Sequence, residues 1–253
     1  MKKSLFNTLL FLMCSSTLLL SQNEKSQPNA VLSINLAFGL QSPGGDLAER
    51  FGNNLHVGGG FGFKTRNNWI MSWDAQFVSG NTVRNEAVIL QNSLTERSQI
   101  LNLNGSLATV DLFQRGTYST FNVEKILGFW QANKNSGPII GFGAGYNISW
   151  MNIDNPGETA PQFAGDFRQG YDMLSMGFMI KQSLGYYHLA RNRRINFKLS
   201  LEFGQAFTEN VRGLNYYEGV LDQTQQLDLF YGLRLDWMFP IYLLRKNEQE
   251  YYY

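Results

Sequence analysis

The chain has 253 residues, a formal net charge of +1, a mean hydropathy of −0.24 and one cysteine, Cys14. So balanced a charge supplies no field that favours nucleic acid, and so polar a chain is no bundle of membrane-spanning helices. Aromatics at 14% and 25 glycines, without long apolar runs in the body of the chain, suit a barrel in which only every second residue meets lipid.

Met1-Lys2-Lys3, an apolar run from Leu5 to Leu20 and a small residue before Gln22 read as a secretory signal peptide over residues 1–21. Cys14 lies inside the apolar run, between Leu12-Met13 and Leu18-Leu19-Leu20, so it does not mark a lipoprotein cleavage point. The mature chain then has no cysteine, which excludes disulfides, thiolate catalysis and Cys-ligated metals. Residues 22–29 read as a short periplasmic segment.

Eight stretches follow with a period of two, the signature of strands with distinct faces. The first, about Val31 to Leu40, sets Leu32, Ile34, Leu36, Phe38 and Leu40 against Ser33, Asn35, Ala37 and Gly39. The second spans about His56 to Lys64 and the third about Trp69 to Ser79. The fourth and weakest spans about Thr117 to Trp130, with Lys125 on the apolar face and expected to snorkel. The fifth runs from about Pro138 to Asn152, the sixth from about Tyr171 to His188. In the seventh, Ile195, Phe197, Leu199, Leu201 and Phe203 alternate with Asn196, Lys198, Ser200, Glu202 and Gly204. In the eighth, odd positions from Leu227 to Phe239 are apolar, and Pro240 is expected to end it.

The links alternate between tight (66–68, 131–137, 190–194) and long (41–55, 80–116, 153–170, 208–226). Short periplasmic turns and long outer loops are the asymmetry of outer-membrane barrels. The expected fold is therefore all-β: an eight-stranded antiparallel up-and-down transmembrane β-barrel over residues 30–242, with a long extracellular loop at 80–116 and a periplasmic tail at 243–253.

A soluble barrel would turn the apolar face inward. Here the other face is crowded with Gly, Ser and Asn, which fit a narrow interior, and carries both signs of charge: Asp74, Glu124, Lys181, Lys198, Glu202, Arg234 and Asp236. Aromatics such as Trp69, Trp130, Trp150, Tyr186 and Trp237 gather near strand ends, where interfacial girdles sit. The apolar face is thus expected to meet lipid and the charges to form an interior network. Lys181 is expected near Glu202, and Arg234 near Asp236 or Asp228. A lumen of eight strands is filled by side chains.

Chemistry-bearing motifs are sparse. The two histidines, His56 and His188, are expected at opposite rims and so share neither a metal nor a dyad. Gly58-Gly59-Gly60-Phe61-Gly62 and Gly141-Phe142-Gly143-Ala144-Gly145 lack the helix that a phosphate loop needs. No catalytic, cofactor or metal residue is assigned, and no cofactor or soluble small-molecule substrate is expected. In the long loop, Asn85 to Arg97 reads as a short amphipathic helix. Ile100 to Phe113 reads as a hairpin around Asn104-Gly105 that extends the third and fourth strands. Aliphatics this dense argue for order, hence a partner surface or a self-packed cap, the partner surface being preferred. Arg191, Arg193 and Arg194, in one turn, are expected to contact lipid headgroups or a periplasmic partner, as is the tail ending in Tyr251, Tyr252 and Tyr253.

Gln22-Asn23, Arg115-Gly116, Gly170-Tyr171-Asp172, Arg194-Ile195-Asn196-Phe197 and the terminal tyrosines together resemble the small outer-membrane barrels of Bacteroidota. In architecture the chain is similar to the OmpX, OmpW and OmpA barrel group. That resemblance implies an outer-membrane protein in contact with lipid and lipopolysaccharide. By analogy with accessory barrels of type IX secretion and barrel-assembly machines, it also implies a non-enzymatic subunit that binds another envelope protein. A lipid A-modifying enzyme and a narrow solute channel are the alternatives.

Overall fold

The computed structural model describes residues 30–95, 99–102, 104–158, 160–163, 165–190, 195–213 and 224–242. Eight long strands close into one antiparallel ring. They are β1 (Val31–Gly45), β2 (Asn54–Lys64), β3 (Trp69–Gly80), β6 (Asp111–Ile126), β7 (Gly137–Asp154), β8 (Ser175–Leu189), β9 (Asn196–Asn210) and β10 (Gln225–Tyr242), with ring order β1-β10-β9-β8-β7-β6-β3-β2. Each long strand pairs with its neighbours in the chain, and β1 closes on β10, so the ring has no free edge. A separate two-stranded hairpin, β4 (Ile100–Leu101) and β5 (Leu107–Ala108), stands in the link between β3 and β6. Two short helices, α1 (Asp46–Arg50) and α2 (Glu86–Ile89), also lie in outer links.

The period of two resolves into an outward and an inward set. Phe38, Phe61, Leu201 and Phe207 are exposed, Phe38 at 68% and Leu201 at 61%, while Ala37, Gln76, Asp74 and Arg234 are buried. The ring therefore presents its apolar side outward over its full circumference. Soluble proteins do not expose so continuous a belt.

Several strand ends differ from the sequence reading. β1 continues to Gly45, paired as far as Gly45↔Asp228, and β2 begins at Asn54. The first outer link is thus only 46–53, shorter than the 127–136 turn on the other side, so the sorting of links by length is less strict than the pattern suggested. β6 begins at Asp111 and stops at Ile126, and Trp130 lies in the following turn with φ 47. β8 starts only at Ser175, because 3-10 turns between Pro156 and Gly170 precede it. β10 runs through Pro240 to Tyr242. Beyond Trp237↔Phe197 this strand has lost its β9 neighbour and pairs with β1 alone, so a residue without an N–H disturbs one ladder at most. Common to most of these ends is the loss of lipid outside the bilayer, where alternation fades while backbone pairing persists.

Among the described residues of the expected helix from Asn85 to Arg97, the helical ones are α2 and a 3-10 turn at Gln91–Ser93. The hairpin forms around Asn104-Gly105, but it does not extend the barrel wall. Phe113 belongs to β6, whose upper end pairs with β7 (Asp111↔Asp154) after β3 has stopped at Gly80↔Gln114.

At several positions, Gly145 and Gly177 among them, the backbones of adjacent strands approach so closely that only glycine fits. A Cβ on Gly145 would overlap the Ser119 carbonyl oxygen, and one on Gly177 the Phe207 carbonyl oxygen. The tight turn between β2 and β3 uses Asn68 at φ 62, the left-handed region that Asn tolerates.

Candidate functional site

The alternation that turns apolar residues outward carries all seven predicted charges into the lumen, where the structure brings them together. Arg234 is the hub. Its Nε and Nη2 donate to Asp236 Oδ1 at 3.0 and 2.7 Å, and its Nη1 donates to Asp74 Oδ1 at 3.0 Å and to Glu202 Oε1 at 3.4 Å. Lys181 lies 3.2 Å from Glu202 and 3.9 Å from Asp74. Lys198 bridges Glu124, at 3.1 Å, to Asp236, at 3.5 Å. Asp228, the other partner considered for Arg234, instead takes Arg50 at 2.7 Å and the Thr208 hydroxyl at 2.9 Å.

Neutral side chains complete the network. Asn122 Nδ2 donates to Asp74 Oδ2 at 2.6 Å, and the Ser183 hydroxyl donates to Glu124 at 3.2 Å. His56 is not at the outer rim. It is buried in the lumen, with Nδ1 3.2 Å from Gln76 Oε1 and 3.3 Å from the Tyr118 hydroxyl, its ring lying over Gly39. The alternation at Val57 already implied this inward direction. What sequence could not supply is which inward residues share a level, because that depends on the stagger of the strands around the ring. Tyr118 and Asn122 were missed for that reason, and Gln76, inward by its alternation, was not matched with His56. His188 stacks on Phe197 at the other end of the barrel, 5.2 Å between ring centroids.

Apolar stoppers lie above and below these charges. Towards the periplasmic side, Val31, Ile70, Ile126, Ile139, Tyr187, Leu189 and Met238 form one cluster. At the outer end, Tyr118, Met179, Ala206 and Phe230 from the wall join Leu47, Phe51, Val83, Ile89, Ile100 and Phe163 from the links. The lumen is thus filled at three levels. Such a section is a packed interior and not a water path.

The outer links fold into a cap. Helix α1 is stapled across the barrel mouth: Asp46 Oδ2 accepts the Leu227 N–H at 2.6 Å, and Arg50 donates to Ser175 and to Asp228. The Ser93 and Tyr171 hydroxyls meet at 3.4 Å across two different links. The β4–β5 hairpin sits on this cap with two unlike faces. Ile100 is buried in the cap core and Ala108 packs against it, while the directly opposed Leu101 and Leu107 are exposed, at 42% and 64%. Beside the cap, Arg212 binds the Asp172 carboxylate through Nη2 at 2.6 Å and Nε at 3.1 Å, which holds the guanidinium above its ordinary pKa. Arg168 braces the end of β7 through Asn152 Oδ1, at 2.8 Å, and the Ile153 carbonyl.

Lys125, on the outward face, donates to the Asn67 carbonyl at 2.6 Å and lies 4.9 Å from the Trp69 ring, the geometry of a side chain snorkelling at the periplasmic margin. Arg191, Arg193, Arg194, Tyr251, Tyr252 and Tyr253, together with the stretches read from sequence as a leader at 1–21, a segment at 22–29 and a tail from 243, lie outside the described residues. Among the described residues, no group of three or more His, Cys, Asp or Glu is placed to hold a metal ion.

No family model matches the chain, and no curated protein matches it. Solved structures with a similar course include Neisserial surface protein A, at 7% identity and a TM-score of 0.42, over 81% of this chain and 96% of that one. Ail, the attachment invasion locus protein of Yersinia pestis, in complex with the heparin analogue sucrose octasulfate, gives 9% identity and 0.42 over 83% and 99%. The outer membrane protein OprG from Pseudomonas aeruginosa gives 12% and 0.39 over 86% and 99%. At that distance the assignment rests on the chain's own geometry: a closed antiparallel ring, a predominantly apolar exterior, and an interior where charges answer one another. A closed barrel satisfies every backbone group within the ring and can therefore cross a membrane. The chain is an integral eight-stranded β-barrel of the outer membrane.

Proposed function

We propose that this barrel is a non-enzymatic accessory subunit of an envelope assembly, of the kind found among the small barrels of Bacteroidota, and that its cap hairpin is the surface offered to another envelope protein. The observation that carries this reading is the cross-strand pair Leu101–Leu107. Two leucines are held side by side in water on a hairpin whose other face is anchored by Ile100 and Ala108. An apolar pair fixed above the membrane gains by covering, and the cap core gives it a rigid base. The filled lumen leaves the outer surface as the place for contact, and the His56 environment of Gln76, Tyr118 and Gly39 gives no reason to prefer lipid A chemistry.

The test is a photo-crosslinking residue at Leu107 in intact cells. The expected result is a discrete adduct with one envelope protein, lost when Leu101→Asp is combined with it. Adduct-free monomer from both the Leu101 and Leu107 positions would overturn the proposal.

A further inference from the structure

The lipid-facing wall carries an anomaly. On β8 the outward residues are Met176, Phe178, Ile180, Gln182, Leu184 and Tyr186, so a carboxamide sits midway along an apolar series. On β9 the outward series Leu199, Leu201, Phe203, Gln205 and Phe207 carries a second. Gln182 is opposite Phe203, and Gln205 is opposite Ile180, so the two amides are diagonal neighbours, about 7–8 Å apart in backbone terms. Asn152 and Gln225, the other outward amides of the barrel strands, lie at the outer rim. Within the band that crosses the hydrocarbon, both amides therefore fall on one patch of one hairpin. Neither side chain has a hydrogen-bond partner among the described residues.

An acyl chain cannot satisfy an amide, and a polar group left unsatisfied in hydrocarbon is costly.

We propose that this wall of β8 and β9 is a homodimer interface, with Gln182 of one copy hydrogen-bonded to Gln182 of the other across a two-fold axis along the membrane normal. Two features select a second copy. First, a two-fold axis in that direction keeps every residue at the depth of its mate, so an amide in the middle of the bilayer meets an amide without any further adjustment. Second, a carboxamide is at once donor and acceptor, so two of them pair reciprocally. Gln205, one diagonal step away, supplies a second amide to the rim of the contact. This interface lies on the barrel wall and is independent of the cap hairpin; failure of either leaves the other standing.

The test exploits the cysteine content of the chain. In a Cys14→Ser background, a single Gln182→Cys is oxidised in native outer membranes, with Phe61→Cys on β2 as control, four strands round the ring. The expected result is a disulfide-linked dimer of this chain at Gln182→Cys, at least about tenfold above the control. In vesicles, Gln182→Leu is expected to fold, as judged by its heat-dependent gel shift, and to weaken self-association measured by energy transfer by about tenfold, the effect of two hydrogen bonds of the strength found inside bilayers. Equal cross-linking at both positions, unchanged self-association of Gln182→Leu, or a Gln182→Cys adduct with a different protein would each overturn the proposal.

Discussion

Replacing Arg234 by Met tests whether the lumen is held by its charges or merely contains them. Arg234 is 2% exposed, and its guanidinium serves three carboxylates, Asp74, Glu202 and Asp236, at 2.7 to 3.4 Å. Without it, Asp74 keeps Asn122 at 2.6 Å and Lys181 at 3.9 Å, Glu202 keeps Lys181 at 3.2 Å, and Asp236 keeps Lys198 at 3.5 Å. Four carboxylates, counting Glu124, would then share two lysines. Removing one partner of a buried pair costs about 3–5 kcal/mol, and Met restores little of that because the loss lies in uncompensated charge and not in volume. Adding Asp236→Asn removes the carboxylate that loses most, so the double variant is expected to recover about 1–3 kcal/mol of the single variant's loss. Urea unfolding of barrels refolded in liposomes, followed by tryptophan fluorescence, measures both. A single variant within about 1 kcal/mol of the parent, or strict additivity with Asp236→Asn, would refute the hub assignment.

Leu201→Arg places a charge on the outward face and is expected to cost about 2–4 kcal/mol at mid-bilayer in the same unfolding assay. Lys198→Leu acts from the inside instead, through stranded Glu124 and Asp236, and should lose about as much as other broken buried pairs, about 3–5 kcal/mol. Gly177→Ala is expected to destabilise by about 1–3 kcal/mol, because the methyl group meets the Phe207 carbonyl; refolding yield and unfolding midpoint report it. Arg50→Ala frees α1 from Ser175 and Asp228, and hydrogen exchange in residues 46–53 is expected to rise while exchange in β6 and β7 stays unchanged.

Much of this architecture was written in residue alternation, because in a membrane barrel one solvent enforces the period on one face. Lys181 with Glu202 and Arg234 with Asp236 were legible because each pair lies on neighbouring strands or on the same strand. Lys198 with Glu124 was not, since the two strands are not adjacent and their levels depend on the stagger of the whole ring. The cap was legible only as one alternative for the 80–116 loop, and its composition was not. Leu47, Val83, Ile100 and Phe163 come from three links and share no period, so nothing in any one segment announces that they will meet. Gln182 stood in plain view as an outward residue, yet its meaning depends on Gln205 being its neighbour, which only the register supplies.

The two greasy stoppers have a consequence for the ions between them. Mobile counter-ions screen a pair only if they can approach it, and both entrances to the charged level are closed by aliphatic and aromatic packing. The barrel's resistance to unfolding should therefore be nearly indifferent to ionic strength, while the Arg212–Asp172 clamp at the mouth, whose arginine is partly exposed to the medium, loosens as salt rises. An organism moving between dilute and saline surroundings would keep the staves of this barrel equally tight and retune only its lid.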